Sequence, residues 1–152
     1  MNTRSFVLSS LIAGLVIGLL GSLPLLNLVN CLLCIWVWVG GLLAVYVYRR
    51  FEGGRSGLSQ AQAAGLGALS GLIGAVIGML VFLVTGWLSA PLFEGLARAL
   101  QVEGDLPFGA GGFEDSLMTA LIFLVLDGVL YPIFGVLGAL IGVRLFKPQP
   151  AA

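Results

Sequence analysis

The 152 residues are 59% hydrophobic and only 9% charged, with seven basic residues balancing seven acidic ones. Soluble domains carry about a quarter charged residues, so no sizeable water-facing domain is expected, and the lack of any basic tract argues against nucleic acid as a partner. Histidine is absent, which removes the side chain most used for metal ligation and for proton transfer near neutral pH.

Four apolar stretches follow in chain order, at about Phe6–Leu23, Cys31–Tyr48, Gly65–Leu88 and Leu117–Phe146. A hydrocarbon core of roughly 30 Å takes about 20 residues at 1.5 Å each. Backbone groups in lipid must be satisfied internally, and the stretches lack the period-two alternation of barrel strands, so each reads as a helix. The fold class expected is all-α: a polytopic membrane protein with four transmembrane helices in a glycine-packed bundle, forming one domain over 1–152. The first stretch follows Arg4 as a secretory signal would. Its apolar run exceeds the usual 7–15 residues, and no Ala-x-Ala site follows Pro24, so it reads as a retained helix.

Between the third and fourth stretches, Ser89 and Pro91 suit an N-cap and first turn. Leu92, Leu96, Ala99 and Leu100 then recur at helical spacing opposite Glu94, Arg98 and Gln101. A short amphipathic helix lying in the interface is expected over about 89–102, followed by a glycine-rich loop. Asp115 or Ser116 is placed to cap the fourth helix.

Arg4, Arg49, Arg50, Arg55, Arg144 and Lys147 fall on one side if four helices cross; Glu94, Glu103, Asp105, Glu114 and Asp115 fall on the other beside Arg98. The positive-inside rule then puts both termini and the 49–63 loop in the cytoplasm; the prokaryotic inner membrane expected for the chain rests on the resemblances below. Within the first and third stretches, Ser10, Gly14, Val16, Ile17, Gly18 and Leu20 repeat as Ser70, Gly74, Val76, Ile77, Gly78 and Leu80. A duplicated hairpin would give parallel repeats about an axis along the membrane normal; likeness by composition is the alternative.

Gly14 and Gly18, Gly67 and Gly71, Gly74 and Gly78, and Gly138 and Gly142 are small-xxx-small pairs. Lipid tails are as apolar as leucine, so helices associate there by close packing, which glycine permits. The stripes serve packing within the chain, contacts in a homo-oligomer, or both.

Two places carry chemistry. Cys31 and Cys34 open the second stretch after Asn30, a natural N-cap, and their spacing sets both thiols on one side of a first helical turn, where the dipole lowers a thiol pKa. Asp127 lies about 15 Å into the fourth stretch, near the bilayer centre, on a stripe with Tyr131, Gly135, Gly138 and Gly142. Pro132 leaves the Gly128 carbonyl without its helical partner beside the acid. Asp127 reads as interhelical glue bonded to Tyr131, Ser70 or Thr85, as an ion or proton site, or as the mate of a basic residue on another subunit.

The run Cys31-Leu-Leu-Cys34-Ile35-Trp36 resembles the motif of bacterial inner-membrane oxidoreductases that form disulfides and pass electrons to quinone. The resemblance implies four helices with both termini inside and catalytic roles for Cys31 and Cys34 with a quinone. The chain departs from that family in lacking a second cysteine pair and in carrying Trp38 where a basic residue is expected. Asn30-Cys31, Trp36, Trp38, the terminal arginines and the glycine-stacked third helix also resemble a loose class of small prokaryotic four-helix membrane proteins, a likeness that implies no activity.

Three functions follow as expectations. The first is a non-enzymatic integral membrane protein, an accessory or structural subunit of a membrane complex or a small homo-oligomer, with no cofactor or metal. The second is a membrane thiol-disulfide oxidoreductase using Cys31 and Cys34. The third is a small ion or proton-coupled transporter using Asp127.

Overall fold

A computed structural model describes residues 2–22, 34–53, 57–99 and 113–146. Among the described residues there are four helices: α1, Thr3–Ser22; α2, Ile35–Phe51; α3, Gln60–Ala99; and α4, Phe113–Leu145. Three of them, over Thr3–Ser22, Gln60–Thr85 and Ala120–Leu145, are long and apolar enough to cross a membrane. At 1.5 Å per residue, α1 and α2 extend about 30 and 26 Å, while α3 and α4 extend about 60 and 50 Å.

The helix limits follow from local chemistry. Ser59 Oγ accepts from the Gln62 amide at 3.2 Å while Gln62 Oε1 accepts from the Ser59 amide at 3.0 Å, a reciprocal capping box that starts α3. At the end of α2, Gly53 takes φ +67° and its amide donates to the Arg50 carbonyl, closing the helix on a left-handed glycine.

Three boundaries differ from expectation. α2 begins at Ile35 rather than at Cys31, and Cys34 stands before it in the left-handed region, φ 48°. Its carbonyl accepts from Val37 and Trp38. α3 runs unbroken through Pro91 to Ala99, so no separate helix starts at Ser89. Proline supplies a φ compatible with the helix and costs one backbone bond, which long apolar helices tolerate. α4 begins at Phe113, which places Asp115 and Ser116 within its first turn instead of capping it.

The helices close a ring in the order α1, α3, α4, α2. α1 and α3 run parallel: Gly14 faces Ile73 while Gly74 faces Ile17. α3 and α4 are antiparallel, Gly67 over Gly135 and Gly71 over the peptide joining Tyr131 and Pro132. α2 runs parallel to α4, with Gly138 on Trp38 and Gly142 on Val45, and antiparallel to α1, with Gly40 on Ile17. A two-fold axis through such a ring exchanges diagonal helices, yet the two sequence echoes, α1 and α3, are neighbours. The arrangement expected of a duplicated hairpin is therefore not the one seen.

Ser5, Glu52, Gln60 and Arg144 mark one end of the ring, hereafter the basic end. Ser5 Oγ donates to Glu52 Oε1 at 2.7 Å there, and Gln60 and Arg144 line one cavity. Next to this end is a core of Ala13, Ala44, Val45, Tyr48, Leu58, Ala63, Leu66 and Ala139, and Phe6 meets Tyr48 edge-on at 6.5 Å. Toward the far rim a second core holds Ile17, Val37, Ala75 and Tyr131.

Candidate functional site at the rim of the ring

Cys34 and Asp127 both border the core at the rim of the ring. Cys34, at the start of α2, packs with Leu124 and Phe134 against the core that contains Tyr131. The Tyr131 hydroxyl donates to the Asp127 carboxyl one turn away on α4. The same hydroxyl lies 3.1 Å from the point where a side chain on Gly21 would begin, so glycine on the last turn of α1 leaves room for the phenol. Beside it, Ser22 Oγ donates to the Gly18 carbonyl of its own helix and reaches the Gly78 carbonyl of α3 at 3.4 Å. Helical side chains lean toward the N-terminus of their helix. On α4 that direction carries both Tyr131 and Asp127 toward the rim.

Asp127 lies about 25 Å along the axis from Arg144, near the middle of α4 itself but level with the ends of the shorter α1 and α2. Ser70 Oγ donates to the Gly67 carbonyl at 2.9 Å and Thr85 Oγ1 to the Val81 carbonyl at 2.8 Å. Cys31 lies outside the described residues. Among the described residues, no three His, Cys, Asp or Glu side chains gather closely enough to hold a metal.

The glycine positions separate by what a methyl group would meet. At Gly41, Gly67, Gly71, Gly135 and Gly138 it would run into the backbone of a neighbouring helix. At Gly14, Gly18 and Gly74 it would meet Ile73, Ile77 and Ile17 side chains within 2.5–2.7 Å. At Gly142 the nearest atom, Val45 Cβ, is at 3.2 Å, and at Gly78 the nearest is Ser22 Oγ at 3.7 Å. Gly40 and Gly41 carry no signal in the sequence, because neither belongs to a glycine pair four residues apart; Gly135 stands there on the Asp127 stripe but in no such pair. Trp38 stacks at 6.0 Å on Phe134, and its buried Nε1 has no hydrogen-bond partner among the described residues.

Comparisons with protein-family models, with curated proteins and with solved structures find no match. What the helices define is a class: an all-helical membrane protein with three helices long and apolar enough to cross a bilayer.

Proposed function

We propose that the protein is a non-catalytic integral membrane subunit, which assembles with other membrane polypeptides or with copies of itself through the far part of the α3–α4 hairpin. In this reading all four helices cross a prokaryotic inner membrane as a bundle held by its glycine contacts. The basic end, with both termini, faces the cytoplasm, in keeping with the charge bias. The far part of α3, including residues 89–99, and the start of α4 lie toward the outer interface.

The observation that carries the proposal is the unequal length of the helices. α1 stops beside Gly78, while α3 continues to Ala99 and α4 begins at Phe113. In this stretch Phe82 and Phe123 join the two helices at 6.0 Å. Large apolar side chains stand open around them: Val84 is 70% exposed, Val125 68%, Met118 66% and Ile122 62%. A hydrophobic length well beyond the roughly 30 Å core is relieved by tilting or by association. Asp127, half-buried at the foot of this hairpin, adds a second reason for a neighbour, because an acid bordering lipid is costly.

Gentle detergent extraction followed by native mass spectrometry of the intact particle is expected to show a second polypeptide, or further copies of this one, at fixed stoichiometry. A bare monomer would overturn the reading. The Tyr131–Asp127 bond at the rim would then favour a proton-handling site, and loss of proton flux into vesicles on Asp127→Asn would identify it.

A further inference from the structure

The basic end is a feature that the proposed assembly does not use. Arg4, Arg49, Arg50 and Arg144 gather there, and Glu52, the acidic residue among the described ones at this end, accepts from Ser5. Arg49 is only 7% exposed, and its Nε has no hydrogen-bond partner among the described residues. Between the start of α3 and the last turns of α4 lies a cavity of about 110 Å³, lined by Gln60, Leu140, Val143 and Arg144. A water takes about 30 Å³ of liquid volume, so the space holds more than one or two waters.

The lining is divided by chemistry. Arg144 offers a forked, permanently charged donor, and the Gln60 amide lies beside it at the first residue of α3, where the helix dipole is positive. Leu140 and Val143, one turn and less along α4, contribute the hydrocarbon part of the lining. A soluble anion would use the first half and leave the second wet. An anionic phospholipid uses both.

We propose that this cavity is a binding site for an anionic phospholipid. Arg144 and Gln60 hold the phosphate, and an acyl chain lies along Leu140 and Val143 in the groove between α3 and α4. A zwitterionic headgroup fits less well, because its own cation is brought toward Arg144 and the neighbouring arginines. The site does not depend on whether the far hairpin has a partner.

The test is native mass spectrometry of the full chain in delipidating detergent, titrated with phosphatidylglycerol or with phosphatidylcholine of the same acyl chains. Wild type is expected to retain phosphatidylglycerol in preference. Arg144→Gln is expected to lower its occupancy about fivefold, the factor associated with one basic residue at an anionic surface, and to leave phosphatidylcholine unchanged. Arg144→Lys should keep most of the preference, and Val143→Phe, which fills the apolar half, should lose it with the charge intact. Equal retention of the two lipids by wild type would overturn the proposal. So would an equal loss on Arg50→Gln, which would show a diffuse field in place of a site, or displacement of the lipid by millimolar inorganic phosphate.

Discussion

Gly71→Ala is expected to destabilise the bundle by about 3 kcal/mol, the upper end of what overpacking costs, whereas Gly78→Ala leaves stability unchanged or slightly raised. A methyl on Gly71 would meet the Tyr131 carbonyl carbon at 2.5 Å and the Pro132 nitrogen at 2.7 Å. These are backbone atoms at the interior proline of α4, so neither a rotamer change nor a small shift of one side chain relieves the contact. At Gly78 the nearest atoms are Ser22 Oγ at 3.7 Å and the Gly18 carbonyl at 4.0 Å, ordinary van der Waals distances. There alanine also gains about 1 kcal/mol of helix propensity over glycine. Reversible unfolding in mixed detergent micelles measures both variants. Equal losses would show that helix contacts between α3 and α4 are looser than described.

Tyr131→Ala is the second large effect, expected at about 3 kcal/mol. Tyr131 is buried in one cluster with Ile17 of α1, Val37 of α2 and Ala75 of α3. Truncation opens a cavity where all four helices meet, and lipid tails cannot follow into it without parting the ring. Tyr131→Phe removes only the hydroxyl that bonds Asp127, and polar contacts inside membrane proteins average about 0.6 kcal/mol. The two variants therefore separate packing from hydrogen bonding. A loss on Tyr131→Phe as large as that on Tyr131→Ala would make the Asp127 contact, and not the aromatic ring, the stabilising feature.

Much of the architecture is legible in the sequence because lipid imposes a simple rule. A long apolar run must be a helix, and Arg4, Arg49, Arg50 and Arg144 at the ends of such runs mark a common end. Boundaries set by one residue are less legible. Nothing local announces that Cys34 takes a left-handed conformation and delays α2 to Ile35, since cysteine has no such preference. Ser89 and Pro91 read as a helix start, yet the same proline fits inside a helix whose neighbouring bonds persist. The glycine pairs show where close approach is possible but not against what. Gly78 belongs to a perfect pair and has space to spare, whereas Gly41 and Gly135 belong to none and each lie against another helix's backbone. The meeting of Cys34 with the Tyr131 core depends on the register of α2 against α4, nearly a hundred residues apart in the chain, and no spacing in the sequence encodes it.

The claim on which the account turns is that another polypeptide covers the far part of the α3–α4 hairpin. The most direct test places a photo-crosslinking residue at Val84 or at Val125 and irradiates native membranes, with Leu8 on α1, also exposed at 47%, as the lipid-facing control. The account predicts a crosslinked product of one defined added mass from Val84 and Val125 and none from Leu8. Lipid adducts alone from all three positions would contradict it and leave the hairpin as a lipid-facing surface.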